Sequence, residues 1–368
     1  MKLRFNRQEM AEALAAACGV AAARTPKEIL KCVRLDALSD ALIVSATDLE
    51  IGLRWGVTQV EVEKPGETLV VADTLNRIVH ECTDEILTAE VIQNYLHIRG
   101  MGSHFQINTQ ATSDFPPVPD MQGEPDFRVD HAELRKLIEW TAFAAAREST
   151  RYAINGVLWE FSGEEMTMAA TDGRRLSVGR TKIKKAHNKA IPQVIVPTKA
   201  LTLFTRLPAE ADAVVQVKVA ANQVFLRVGR EVLSTSLVEG HFPKYQDVIP
   251  TDCDREVTMN TMEFLGALKR AALLTNEESK GVRLSFSDGG LTLSSRAPEQ
   301  GEATISLPIR FSGDTIDIGF NPVFLTDVLR VASADEIVFA LKEPNRPGII
   351  RMGKEFAHVV MPVNLASA

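Results

Sequence analysis

The chain has 368 residues, 45% of them hydrophobic and 24% charged, with a net charge of −7 at pH 7. That composition is ordinary for a globular protein large enough to hold several cores, and the lack of any run of ~18 apolar residues excludes a helical membrane span. Charges from Lys2 and Arg4 onward argue against a signal peptide, and Cys18, Cys32, Cys82 and Cys253 lack paired metal spacing, so they are expected to be reduced core thiols of a cytoplasmic protein.

In chain order, an extended Leu3-Arg4-Phe5 runs into Asn6, a good N-cap, with Glu9 at the capping-box position and Met10, Ala13, Leu14 and Ala17 on one helical face. Residues 42–46 read as a strand that closes on Thr47-Asp48, and residues 69–73 as a strand leading into a helix over 75–79. An aromatic-proline corner, Phe115-Pro116-Pro117, opens a Pro-rich linker up to Pro125.

The same order then restarts. Phe127-Arg128-Val129 precedes the cap Asp130, with Glu133 at N3 and Leu134, Leu137 and Ile138 on the apolar stripe. Residues 166–170 close on Thr171-Asp172, a basic loop spans 182–189, residues 194–198 lead into a helix over 201–204, and His241-Phe242-Pro243 forms the second corner. A third copy begins at Val257-Thr258-Met259 with Asn260, Glu263, Phe264 and Leu268. It continues through a hairpin about Asp288-Gly289-Gly290 and a strand over 316–320, then a helix over 325–329 with Asn321 as cap and Pro322 at its first position. It ends at Val359-Val360-Met361-Pro362-Val363.

Three copies at nearly equal spacing imply three α+β modules, 1–125, 126–250 and 251–368, each with two helices packed on antiparallel strands, roughly eight per module. The six predicted helices are slightly positive, so the rest of the chain carries the whole negative excess. Helices gathered on one surface would make it mildly attractive to phosphates inside an acidic shell. No Walker A loop, Gly-x-Ser-x-Gly elbow, His-Glu-x-x-His or paired-Cys zinc pattern is present. Isolated His241 and His358 read as structural, and the Asp of each Thr-Asp pair as a turn residue accepting backbone N–H bonds. No metal and no cofactor is expected, and a binding or scaffold protein is favoured. An enzyme with an unrecognised site and a repeat protein unrelated to DNA stay open on these grounds.

The tandem capped helices, Arg151-Tyr152-Ala153-Ile154-Asn155-Gly156-Val157-Leu158, Ala170-Thr171-Asp172-Gly173-Arg174-Arg175-Leu176, Gly240-His241-Phe242-Pro243-Lys244-Tyr245, Lys280-Gly281-Val282-Arg283-Leu284 and Val359-Val360-Met361-Pro362 together resemble the bacterial DNA sliding clamps, the beta subunits of DNA polymerase III. The resemblance runs end to end. It implies three DNA-clamp-fold domains per chain and a head-to-tail homodimeric ring around duplex DNA, non-catalytic itself and tethering the polymerase by effective concentration. It further implies the DNA polymerase III catalytic subunit, a clamp loader complex, and other polymerases and repair proteins bearing clamp-binding peptides as partners, and no membrane.

By the same resemblance, Arg24, Arg147, Arg151, Tyr152 and Lys199 face the duplex. Ile154, Thr171, Gly173, Arg174, Arg175, Leu176, Pro243, Val248, Phe324, Val359, Met361 and Pro362 line a peptide groove between the second and third domains. Phe105, Ile107, Leu273 and Leu274 sit at the dimer contact. The chain departs from the family pattern at Ala153, where a second aromatic for a base- or sugar-stacking contact is common, and at Arg174, Asp247 and Phe324 and over residues 343–348, which points to a shifted peptide preference.

Overall fold

A computed structural model describes residues 1–21, 25–147, 153–187, 189–275 and 281–364. The helices are α1 (Arg7–Val20), α2 (Ala72–Glu81), α3 (His131–Thr141), α4 (Thr198–Phe204), α5 (Thr261–Ala271) and α6 (Pro322–Val331), two in each repeat. The expected caps are in place. Asn6 Oδ1 accepts from the N–H groups of Gln8 and Glu9, Asp130 from Ala132 and Glu133, Asn260 from Met262 and Glu263, and Asn321 from Val323. Each cap satisfies donors that a helix start otherwise leaves unpaired, worth about 1 kcal/mol.

One expectation fails locally. Glu9 does not close a capping box onto Asn6; its carboxylate accepts from the N–H groups of Thr58 and Gln59 and from the Thr58 hydroxyl. The Asn6 N–H donates instead to the Gln59 carbonyl. The short connection Thr58-Gln59 between two strands, brought up by the tertiary fold, therefore outcompetes the local reciprocal bond. The predicted loop over 182–189 also contains a two-residue strand, Lys184–Lys185, paired with Phe127–Asp130.

The described residues form two compact units, and the middle repeat contributes to both. The first unit comprises Met1–Arg135, Ile183–Pro192 and Lys199–Leu237. It contains a five-stranded sheet whose outer strands are Val60–Lys64 and His104–Asn108, and a nine-stranded sheet. In the larger sheet, Ile51–Val57 of the first repeat pairs with Glu231–Ser236 of the middle repeat, so one hydrogen-bonded sheet crosses the repeat junction. α1 buries Met10, Ala13, Leu14, Ala17 and Val20, the predicted stripe extended by a turn. The Pro-rich linker is tied down: Phe115 packs with Cys32 and Leu69, and Met121 with Phe225 and Val232.

The second unit comprises Lys136–Lys182, Gln193–Thr198 and Val238–Ala368. Its eight-stranded sheet crosses the next junction in the same way, Arg175–Lys182 pairing with Phe356–Val360. A four-stranded sheet ends on Gly301–Pro308 at one edge and Ile316–Phe320 at the other. α5 buries Phe264, Leu265, Ala267, Leu268 and Ala271; each large side chain so placed contributes about 1.5–3 kcal/mol. On the strand beneath α3, Gly179 is required for space, because a Cβ there would lie 2.5 Å from Leu137 Cδ1.

All four cysteines are free thiols, and burial raises Cys18 to about 11, so it stays protonated at neutral pH. Among the described residues no helix is long and apolar enough to cross a membrane, and no group of three His, Cys, Asp or Glu could hold a metal ion.

Candidate functional site

The turn from Thr171 to Leu176 is built by its own side chains. Thr171 Oγ1 donates to the Arg175 carbonyl at 2.6 Å and accepts from Gly173 N–H at 3.0 Å. Asp172 Oδ1 accepts from the N–H groups of Arg174 and Arg175 at 2.9 and 3.1 Å. Gly173 has φ +86°, with open space around the missing Cβ, so backbone conformation rather than room selects glycine. The first repeat makes the same turn: Thr47 Oγ1 donates to Ile51 O and accepts from Leu49 N–H, while Asp48 accepts from Glu50 and Ile51. There, Leu49 carries the positive φ of 83°, which costs a non-glycine residue backbone energy. Both Asp residues are thus turn builders, as their sequence context indicates.

Strand pairing brings the second turn to the chain's end. Leu176 lies opposite Val359, and the Met361 N–H donates to the Arg174 carbonyl at 2.9 Å. Leu176 and Val359 join Ala153, Leu158, Tyr245 and Ile349 in one apolar cluster, against which Phe242, Ile249 and Cys253 of the inter-repeat segment pack. Tyr245 anchors that segment: its hydroxyl donates to Glu160 Oε2 at 2.5 Å, and burial together with the Glu160 carboxylate holds the phenol well above its ordinary pKa. The short helical turn Tyr245–Val248 then leaves Val248 on the surface, 51% exposed.

The candidate groove residues therefore fall into two sets. Ile154, Thr171, Leu176 and Val359 are buried, whereas Gly173, Arg174, Val248 and Met361 are exposed and Pro243, Phe324 and Pro362 half-buried. Beyond the tail, a cleft of about 640 Å³ is lined by Arg283, Asp317, Asn345, Pro362 and Asn364, among others. Pro344 and Asn345, from the divergent 343–348 stretch, form part of that wall.

Arg175 behaves differently from its neighbours. Its side chain is only 10% exposed and points into the wall, where Nε donates to Asp172, Nη1 to Asp327 and Nη2 to the Phe143 carbonyl. The guanidinium also lies 5.4 Å from the Phe143 ring centre and 4.7 Å from that of Phe324. Beneath it, fully buried His358 shares a 2.6 Å hydrogen bond between its Nδ1 and Ser177 Oγ. Burial and the neighbouring Arg175 charge lower His358 to about 3, against a smaller raising effect of the Phe324 carbonyl, to which Nε2 makes no bond of ordinary geometry. Phe143, Asp327, Ser177 and His358 carry no local signal as site residues; their spacing in sequence is irregular, strand pairing sets Ser177 opposite His358, and tertiary packing adds Asp327 from α6 and Phe143 from the turn after α3.

Of the DNA-facing candidates, Arg24, Arg151 and Tyr152 lie outside the described residues. Arg147 is exposed. Lys199, on α4, is exposed but its ammonium ion-pairs with Asp48 of the first-repeat turn. Of the dimer-contact candidates, Phe105 and Ile107 sit on His104–Asn108, an unpaired sheet edge, half-buried and 8% exposed respectively. Leu273 is 76% exposed, and Leu274 lies beside Gly301 at the start of the other open edge strand, Gly301–Pro308.

Three family models match along the chain: DNA polymerase III beta subunit, N-terminal domain, over residues 1–119, central domain over 128–244, and C-terminal domain over 246–364. The chain is 31% identical to the beta sliding clamp of Escherichia coli strain K12 over 370 residues, covering 99% of this chain and 100% of that protein. It is 30% identical to the beta sliding clamp of Chlamydia muridarum over 366 residues, 99% of each chain. Among solved structures, a sliding clamp from Pseudomonas aeruginosa bound to griselimycin superposes with a TM-score of 0.93 at 31% identity, covering 99% of this chain and 100% of that one. The DNA polymerase sliding clamp of Bacillus subtilis gives 0.92 at 25% identity, covering 99% of both.

Proposed function

The chain belongs to the DNA polymerase III beta-subunit family, the bacterial sliding clamps; it is a non-catalytic clamp of DNA replication, and we propose how its residues carry that task. Two copies join head to tail, the open edge His104–Asn108 of one against the open edge Gly301–Pro308 of the other. The observation that carries this reading is the repetition of one junction. Ile51–Val57 pairs with Glu231–Ser236, and Arg175–Lys182 with Phe356–Val360. The third pair required by the repeat, Gly301–Pro308 with His104–Asn108, is the one a single chain leaves open. Closing it removes both exposed edges and covers Phe105, Ile107, Leu273 and Leu274.

A closed ring holds duplex DNA by topology, so its contacts can be weak, non-specific and salt-sensitive. Arg24, Arg147, Arg151 and Tyr152 are assigned to those contacts, with Lys199 contributing only where it leaves Asp48. The groove about Thr171–Leu176, Pro243, Val248 and Met361 takes a short peptide with Leu or Phe anchors. Adaptable Met361 suits one groove serving several partners: the polymerase catalytic subunit, the clamp loader, and other polymerases and repair proteins. The protein acts in the cytoplasm. Loading onto nicked circular DNA tests the reading: the protein should stay bound in high salt and be lost once the circle is linearised. Equal loss from circular and linear DNA would refute it.

A further inference from the structure

We propose that Phe143 and Asp327 are positioning residues for the peptide groove: they hold the Arg175 guanidinium over the Phe324 ring and so fix that ring as part of the groove wall. The inference rests on the groove assignment made above. Its basis is the anchoring of one side chain at three points. Arg175 Nε, Nη1 and Nη2 each have an acceptor, and each acceptor belongs to a different element: the Thr171–Leu176 turn, α6, and the short turn Ala142–Ala144 after α3. A planar fork held at three points keeps its place, so the two rings it lies over are held by the same cation.

α6 offers Arg175 a ring and a carboxylate one helical turn apart, Phe324 and Asp327. Asp327 also meets a second cation, Arg330, at 3.6 Å. The helix does not need Asp327 in order to form. It has its own cap in Asn321, Pro322 at its start, and a buried face of Leu325, Val328 and Leu329. Phe143 closes the other side, its ring placed between Arg175 at 5.4 Å and His358 at 5.5 Å. Loss of the Asp327 carboxylate would take one of the three acceptors from the partly buried Arg175 and free it to swing from Phe324. The cost then falls on the groove wall more than on the fold.

The test uses fluorescence anisotropy on the full-length protein with a synthetic acetylated peptide carrying Leu and Phe anchors. Asp327→Ala should weaken binding about tenfold, Asp327→Asn less, and Asp327→Glu should recover most of the loss. In a Phe324→Ala background, Asp327→Ala should weaken binding no further, because the carboxylate acts through that ring. Equal losses in both backgrounds would overturn the inference, as would unchanged affinity in Asp327→Ala while Met361→Ala, a change at the groove surface, binds poorly. Should Met361→Ala also bind normally, the groove assignment falls and takes the inference with it.

Discussion

Acid should destabilise this protein through His358 in particular. The imidazole is fully buried, lowered to about 3 in the folded chain, and bonded to Ser177 Oγ. An unfolded histidine has a pKa of about 6.5. Between those values the unfolded state binds the proton and the folded state does not, so stability is complete above about pH 6.5 and declines as pH falls toward 3. With a folded value of about 3, linkage gives a loss of about 2 kcal/mol at pH 5, approaching about 5 kcal/mol at the acid limit. The comparison is urea unfolding of the natural chain and of His358→Gln at pH 7 and pH 5, followed by tryptophan fluorescence. Trp140 and Trp159 are buried in the same unit as His358 and report its unfolding. Gln keeps an amide that can bond Ser177 but does not titrate. Carboxylates titrate in both proteins and cancel, so the natural chain should lose about 2 kcal/mol more than the variant on going to pH 5. Equal losses would mean that His358 is protonated without cost, and that the burial argument is wrong.

Replacing exposed Leu273 and half-buried Leu274 together by Asp should raise the dimer Kd at least about a hundredfold, since each buried leucine is worth about 1.5–3 kcal/mol. Sedimentation velocity would then find monomers at micromolar concentration, and persistent dimers would exclude this contact. Deleting the chain from Met361 onward should abolish polymerase stimulation while the dimer persists, because the Met361 and Val363 N–H groups donate to the Arg174 and Gly319 carbonyls, neither of which is on a strand proposed for the dimer contact. Retained stimulation would move the partner site elsewhere. Gly179→Ala should destabilise by about 1–3 kcal/mol, read as a lowered urea midpoint, because its Cβ would press on Leu137 Cδ1 at 2.5 Å. An unchanged midpoint would mean that α3 shifts without penalty.

The repeat, its helix starts and its turns were legible in the chain because each is a local matter. A cap needs Asn or Asp a fixed number of residues before its donors, and a Thr-Asp turn carries its own acceptors. Those contacts close within four residues, so order along the chain specifies them. The resemblance extended this to the family and to the neighbourhood of the groove. What each groove residue does there was beyond its reach. Arg175 sits in sequence among surface-turn residues, yet three acceptors from separate elements draw its charge inward. Lys199, an exposed residue on α4, ion-pairs through its ammonium with Asp48, 151 positions away. Glu9 had a capping partner within reach and took Thr58 and Gln59 instead. In each case a long, flexible charged side chain selects among partners that only the fold assembles. The sequence by itself determined where the backbone turns and which faces are apolar, through short-range bonds and periodicity. The tertiary structure alone decided where the charges end, because electrostatic partners are chosen by distance in space.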